Sequence, residues 1–425
     1  DILSCIHSLM PMREAARAAC LSRSFLRSLR CHPNLICNKD TVGLKRSSNG
    51  DNFHHKIDRI LRNHSGISLK SFKLDYSGMS GFDGTSYLDS WLEIALKPGM
   101  EELTLWLSET RRKYNFPCSL LSDGVQNSLR YLKLRFCAFH PTSKLGPFRS
   151  LTSLHLFLVS IKWEELHLEL THCMEIICLK IPCTLQQLTS LTPNLSSFFH
   201  RGFRVNFSRV ETLQIKKLDM VRANFIRDAR AKLPSIMPNL ETLVIASGHE
   251  VVDAPMLPTK FLYLKHLTVR LVSGSTISRP YDHFSLVSFL EASPFLQTLI
   301  LNVIAVRMAH ELILTDSELR HMPQHHHGFL KSVKISGFSS AMSLVELTCH
   351  ILENATSLEH LTLDTIHGPR CGQVKFTRCI PIARDVSVEA PRAISAVRTY
   401  TENKVPSTVK LTILEPCSLC HATAR

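Results

Sequence analysis

Apolar residues recur along this chain in a short figure, L-x-x-L-x-L with other apolar side chains admitted, at Leu69/Phe72/Leu74, Met100/Leu103/Leu105, Leu129/Leu132/Leu134, Leu151/Leu154/Leu156 and Met174/Ile177/Leu179. It returns at Val210/Leu213/Ile215, Leu240/Leu243/Ile245, Leu264/Leu267/Val269, Leu296/Leu299/Leu301, Leu330/Val333/Ile335 and Leu358/Leu361/Leu363. The last two apolar positions alternate with polar ones, as a short strand with one buried face requires, and the first closes a corner. One rung cannot bury its own apolar face, so stacking of rungs makes the core. Between rungs, Ile57, Ile60 and Leu61, or Leu344, Leu347 and Ile351, fall at helical spacing. Pro193, Pro238 and Pro294 suit helix-to-strand corners, since proline cannot extend a helix and biases its predecessor toward extended geometry. The pattern predicts an α/β solenoid, a horseshoe with about ten to twelve short parallel strands on its concave face and helices outside.

Spacing between first positions runs from 22 residues (Leu129 to Leu151) to 36 (Met174 to Val210), against roughly 20 to 29 for leucine-rich repeats, so the array is irregular. One unit is poorly formed: Leu195 and Phe198 are followed by His200, which predicts a strand with a defect or bulge. The polar alternates point away from the core. The charged and aromatic residues among them, Trp106, Lys133, Arg135, His155, Lys265, His266 and Lys334, are the candidate target-binding surface.

The first 45 residues read differently. Ile2, Leu3, Ile6, Leu9 and Met10 keep helical spacing until Pro11, and a second helix starts near Arg13. If it runs through Ser22, Ala18, Leu21, Phe25 and Leu29 share one side, with Arg13, Arg17, Arg23, Arg27 and Arg30 on another. A module this small leans on a partner or on the solenoid. The expected organisation is a helical module over 1–45, a linker and capping helix over 46–67, the solenoid over 68–368, and a C-terminal cap and tail over 369–425.

At 44% apolar and a mean hydropathy of +0.03 the chain can bury a large core. It has no 18-residue apolar window for a membrane helix. No signal-peptide run is evident, and the expected location is nucleus or cytoplasm. The 14 cysteines are scattered singly, which reads as buried thiols and not a disulfide framework. The net charge of +14 admits a polyanionic partner. Because the basic residues are dispersed, nucleic-acid binding is the lesser reading. Cys417-Ser418-Leu419-Cys420-His421 has the C-x-x-C-H form of haem attachment and of half a zinc site, but there is no second C-x-x-C. It is read as a tail or capping strand, with no metal and no cofactor. His325, His326 and His327 are read as a solvated loop. No G-x-S-x-G, H-E-x-x-H or G-x-x-x-x-G-K-[ST] occurs, so no enzyme is expected.

The opening string Asp1-Ile2-Leu3-x-x-Ile6, then Leu9-x-Pro11-x-Arg13-Glu14-Ala15-Ala16-Arg17, then Leu21-Ser22-Arg23, resembles the F-box of plant proteins. Asp58-Arg59-Ile60-Leu61-Arg62-Asn63-His64, Trp91-Leu92-x-x-Ala95 and Cys349-His350-x-x-x-Asn354-x-x-x-Leu358 extend the resemblance to the plant F-box/leucine-rich-repeat family over nearly the whole chain. The resemblance implies a non-catalytic subunit of an SCF-type cullin-RING ubiquitin ligase. Its F-box would dock a Skp-type adaptor, and through it a cullin, while the repeats hold the target protein for ubiquitination. The implied adaptor-binding residues are Ile2, Leu3, Ile6, Leu9, Pro11, Arg17, Leu21, Arg23, Phe25 and Leu29. The family's Leu-Pro pair ahead of this string is not in the sequence, and Phe25 and Leu29 stand where tryptophans are common, which implies weaker docking. The alternative is a repeat-based interaction scaffold not coupled to ubiquitination.

Overall fold

The computed structural model describes residues 2–43, 50–65, 69–76, 85–109, 113–122, 124–141, 145, 147–161, 173–179, 194–201, 214–248, 250, 252–273, 281–305, 318–322, 326–368, 371, 379, 382–417 and 420. They fall into two compact units, 1–210 and 211–425.

The first unit opens with three short helices, α1 (Ile2–Leu9), α2 (Met12–Ala19) and α3 (Arg23–Arg30). Helix α2 does not continue through Ser22. That residue is extended, and its Oγ accepts from the Phe25 backbone N–H at 3.1 Å, capping α3. The expected single face is therefore broken up, with Ala18 on α2, Leu21 in the turn and Phe25 and Leu29 on α3. The strands are β1 (Asn34–Cys37), β2 (Ser71–Asp75), β3 (Glu102–Trp106), β4 (Tyr114–Phe116), β5 (Tyr131–Arg135), β6 (Cys137–Phe139), β7 (Ser153–Phe157), β8 (Glu175–Leu179) and β9 (Ser197–Arg201). Seven of them form a parallel sheet in the order β1-β2-β3-β5-β7-β8-β9, and β4 and β6 make a separate parallel pair. Leu35, Phe72, Leu103, Leu132, Leu154, Ile176 and Phe198 stand side by side as one buried row. Helices α4 (Gly50–Asn63) and α5 (Thr85–Ala95) add Phe53, Ile57, Leu61, Leu88, Trp91 and Leu92 to the core. A one-turn helix, α6 (Val125–Ser128), precedes β5.

From β2 to β9 the rungs of the sheet start with the same backbone device, in which two consecutive amides donate to one carbonyl of the preceding rung. Glu101 and Glu102 donate to Lys70 O, Arg130 and Tyr131 to Glu101 O, Thr152 and Ser153 to Arg130 O, and Met174 and Glu175 to Thr152 O. Ser196 and Ser197 then donate to Met174 O. This places Cys173, not Met174, at the corner: Cys173 and Ile176 are buried, whereas Met174 is 53% exposed. The figure Met174/Ile177/Leu179 is thus one residue out of phase, an error that turns every side chain to the wrong face. The next unit, Leu195/Phe198/His200, pairs with β8 in continuous register without a bulge, and His200 is buried in an apolar slot.

The second unit holds β10 (Lys217–Val221), β11 (Thr242–Gly248), β12 (His266–Ser273), β13 (Thr298–Ala305), β14 (Ser332–Ser336), β15 (His360–Asp364) and β16 (Lys410–Leu414), parallel and in sequence order. Its helices are α7 (Ile226–Ile236), α8 (Val287–Ala292), α9 (Met342–Asn354) and α10 (Arg384–Ala396). The buried row is Leu218, Leu243, Leu267, Leu299, Val333 and Leu361, and Leu411 continues it half-buried. Ile215 is a corner residue here, ahead of Leu218 and Met220, and not the end of a strand; Val210 and Leu213 lie outside the described residues. Three polar anchors, each with a buried member, fix the helical layer. The Glu250 carboxylate accepts the Phe225 and Ile226 amides at 2.7 and 2.9 Å, satisfying the start of α7. Within α7, Arg230 donates to Ser288 O, Leu257 O and Thr259 Oγ1 at 2.9, 2.6 and 3.2 Å. Arg320 pairs with Glu346 of α9 at 2.6 Å and with Asp282 at 2.7 Å.

Two expected boundaries change. Residues 34–37, assigned above to the helical module, pair with β2 as a strand, and residues 384–396 and 410–414, assigned to a cap and tail, form α10 and β16.

Candidate functional site

Parallel register sets side chains of neighbouring strands next to one another, and on the open face of the first sheet it aligns Trp106, Arg135 and Phe157. The Arg135 guanidinium lies 4.2 Å from the centroid of each ring and 4.8 Å from Phe136. Lys133, on the same open face two residues earlier in β5, brings its Nζ to 5.4 Å from the Trp106 ring. A cation over a ring face is attracted by the ring quadrupole, and the flat guanidinium also stacks. Burial pulls Arg135 below the ordinary arginine pKa and the Asp75 carboxylate acts the other way. Phe136 and Leu158 follow their strands with φ of 57° and 54°. This left-handed step turns the chain out of the sheet and brings the Phe136 ring back over Arg135.

Beside the stack, Tyr131 Oη lies 2.8 Å from His155 Nδ1 and His155 Nε2 lies 3.1 Å from Glu175 Oε2. Burial holds His155 below the ordinary imidazole range despite the opposing pull of Glu175. In the neutral ring the Nε2–H donates to the carboxylate and Nδ1 accepts the tyrosine hydroxyl. A groove of about 470 Å³ runs over β1, β2, β3 and β5, bounded by Asp75, Glu102, Trp106, Tyr131 and Lys133. Lys73 bridges Glu102 at 3.1 Å along its floor.

The structure brings together Trp106, Lys133, Arg135 and His155 as expected, although both ring nitrogens of His155 already have partners. In the second unit His266 and Lys334 are exposed on the open face of β12 and β14. Lys265 is not on that face. It stands at a strand entrance, bridging Glu241 at 3.4 Å in a row that also joins Lys216 to Glu241 at 3.2 Å. Among the N-terminal residues, Ile2, Leu9 and Leu21 are 79%, 86% and 80% exposed, and Ile6 is 48% exposed. Pro11 and Arg23 are exposed, and Arg17 is exposed while pairing with Glu14 at 3.2 Å. Phe25 instead stacks on His7 with centroids 4.9 Å apart. Leu29 lines a 510 Å³ hollow between α2, α3, β1 and α4. Leu3 falls within α1.

A leucine-rich-repeat domain described as At1g61320/AtMIF1, LRR domain, matches residues 60–418. The chain belongs to this leucine-rich-repeat family. The At1g61320/AtMIF1 match spans the strands of both units from the end of α4 to just beyond β16, so it includes the stacked face and the C-terminal strand that the pattern of leucines passes over. No protein of curated function matches the chain. Among the described residues no helix is long and apolar enough to cross a membrane.

Sequence reasoning missed Tyr131, Phe157 and Glu175. The first two occupy outward slots flanking named candidates and were legible from the alternation. Glu175 was hidden by the one-residue phase error at Met174. His327 is buried, not solvated: its Nε2 and that of His350 each lie 3.9 Å from Glu291 Oε1. His325 and His421 lie outside the described residues.

Proposed function

We propose that the protein is the target-recognition subunit of an SCF-type cullin-RING ubiquitin ligase, working in the nucleus or cytoplasm, with a Skp-type adaptor seated on α1–α3 and a target protein held on the open repeat face. The observation that carries this reading is the exposure of Ile2, Leu9 and Leu21 on a helical unit of about thirty residues. Burying each such side chain against a partner is worth roughly 1.5–3 kcal/mol. Exposed apolar side chains on a small helical unit that also carries charge fit a docking surface. Arg17 and Arg23 supply that rim and speed encounter with an acidic adaptor more than they tighten the final complex. The protein contributes binding and no bond chemistry of its own.

The test is co-purification with a Skp-type adaptor. Wild-type chain should retain it, and Leu9→Asp with Leu21→Asp should lose it without a change in thermal midpoint, because both positions are solvent-facing. Failure of the wild type to retain adaptor, where another F-box protein succeeds, rejects the ligase reading. The scaffold reading then stands. It is favoured in that case by the family match, which begins at residue 60 and so leaves α1–α3 aside.

The target face has its own test. Trp106→Ala, Lys133→Ala and Arg135→Ala combined should abolish recovery of the proteins labelled by proximity in cells, whereas Arg59→Ala with Arg62→Ala on α4 should leave it intact. Equal losses in both sets would remove the open face from consideration.

A further inference from the structure

Four cysteines far apart in sequence converge at the C-terminal end of the second unit. Cys371 and Cys379 lie in the connection from β15 to α10, and Cys417 and Cys420 follow β16, giving the spacing C-x7-C…C-x2-C. Their four sulfurs all lie within 4.8 Å of one another. Cys371 Sγ is 3.4 Å from Cys417 Sγ, and the Cys371 backbone N–H donates to Cys379 Sγ at 3.3 Å. None of the four is joined in a disulfide, and 3.4 Å is far beyond a disulfide bond of about 2.05 Å. Sulfurs held about 2.3 Å from a common centre at tetrahedral angles stand about 3.8 Å apart, which falls inside the observed spread. Backbone N–H donation to a sulfur is the kind of outer contact that orients a thiolate ligand.

Other cysteines of the chain behave differently. Cys37, Cys118, Cys137, Cys173 and Cys349 are buried one at a time in the apolar core, where a thiol acts as a small hydrophobe. The converging sulfurs are arranged differently: Cys371, Cys417 and Cys420 are only half-buried, and together with the buried Cys379 their sulfurs cluster.

We propose that Cys371, Cys379, Cys417 and Cys420 bind a structural zinc ion as a tetrathiolate. A tetrahedral all-sulfur set with no open position suits zinc in a structural role. Binding exchanges the thiol protons for the dication, Zn²⁺ plus four Cys–SH giving the tetrathiolate complex and four protons, with no change of oxidation state. The ion would fasten the chain leaving β16 to the chain leaving its neighbour β15, closing a loop across a separation of 46 residues. Among the described residues β16 has a neighbouring strand on one side only, so a clasp there would shield that edge. The C-x-x-C at Cys417 is half of the site. Its complement is two residues spaced by seven, which is why no second C-x-x-C is found in the sequence.

The experiment uses the full chain, expressed with zinc supplied and purified without chelator or added oxidant. Elemental analysis should give one zinc per chain. Replacement by Co²⁺ should give near-ultraviolet thiolate charge transfer and the intense visible bands of a tetrahedral site. Cys371→Ser and Cys417→Ser should each drop the metal to background, Cys5→Ser and Cys20→Ser should keep it, and Cys417→His should keep it with shifted cobalt bands. The proposal is overturned by sub-stoichiometric metal in the wild type, by stoichiometric iron in its place, by full zinc retention in Cys371→Ser, or by a Cys371–Cys417 disulfide in protein alkylated at lysis. The wild-type stoichiometry decides the question even if a serine variant fails to fold.

Discussion

Gly337 leaves β14 with φ of 74°, and a Cβ built there would meet the carbonyl oxygen of Val303 at 1.9 Å. Gly99 has φ of 97° but open space around it. Backbone strain is common to both, whereas the clash is particular to Gly337 and is with main chain that cannot step aside. Gly337→Ala should therefore cost about 3 kcal/mol or more and Gly99→Ala about 1 kcal/mol, compared by urea midpoints. Asp219 shows the opposite sense. Its Oδ1 is buried without a hydrogen-bond partner among the described residues, and burial raises its pKa against the pull of Arg270 and Lys217. A carboxyl whose folded pKa exceeds its unfolded one is held in its disfavoured charged form at neutral pH, a cost relieved as pH falls through the folded value. Asp219→Asn should raise the thermal midpoint at neutral pH, with the gain vanishing in acid. A lower midpoint at neutral pH would mean that Asp219 has a structural partner.

Among the elements, β8 discriminates best between the two registers. With Ile176 buried and Ile177 half-buried, Ile176→Ala should cost about 2–4 kcal/mol and Ile177→Ala less than about 1.5, measured by denaturant unfolding. The order would reverse if the leucine figure set the phase. Both candidates at that corner are apolar, so Met174/Ile177/Leu179 and Cys173/Ile176/Cys178 satisfy the pattern alike. What decides between them is the amide pair of Met174 and Glu175 on Thr152 O, a backbone fact that side-chain type does not carry. Once corrected, the corners Leu151, Cys173, Leu195, Ile215 and Leu240 are 22, 22, 20 and 25 residues apart, and the longest interval of the array disappears, while Leu264, Leu296 and Leu330 keep intervals of 32 and 34. Strand β1 stayed hidden for a related reason. Its corner is His32, which bonds Met10 O and the Asn34 amide at 3.3 and 3.1 Å, and its apolar slots hold Leu35 and Cys37, so one leucine in three positions was too little signal. The outward stack was partly legible because alternation alone puts Trp106, Lys133 and Arg135 on one face. Convergence of the cysteines was not legible, since it depends on β15 and β16 being neighbours.

Across the molecule, a net charge of +14 makes acid the adverse direction. His64 and His155 are both held below the ordinary imidazole range by burial. A histidine that protonates less readily when folded gives stability that is whole above its unfolded pKa of 6.5 and is lost as pH falls from there through the folded value. Asp282 adds to this at lower pH. Burial pushes its carboxyl up, but the Arg320 hydrogen bonds and charge outweigh that and leave its pKa depressed, so its contribution fades as pH drops through the folded value. The thermal midpoint should fall between about pH 7 and about pH 5, and the fall should be smaller in His155→Gln, which keeps hydrogen-bonding capacity without a titrating ring. An unchanged slope in that variant would exclude His155 as a contributor.

The paired amides at each strand entrance are indifferent to what the chain does between one entrance and the next. The backs of the rungs range from the four residues of α6 to the fourteen of α4, yet the junctions from β1 to β9 and from β10 to β15 are each made by the same two donors and one acceptor, and at β16 Lys410 alone donates to Glu359 O. Insertions and deletions behind the sheet are thus silent at its front. A lineage carrying this fold is free to lengthen, trim or duplicate a rung between corners while the spacing of side chains across the recognition face is conserved to within a hydrogen bond.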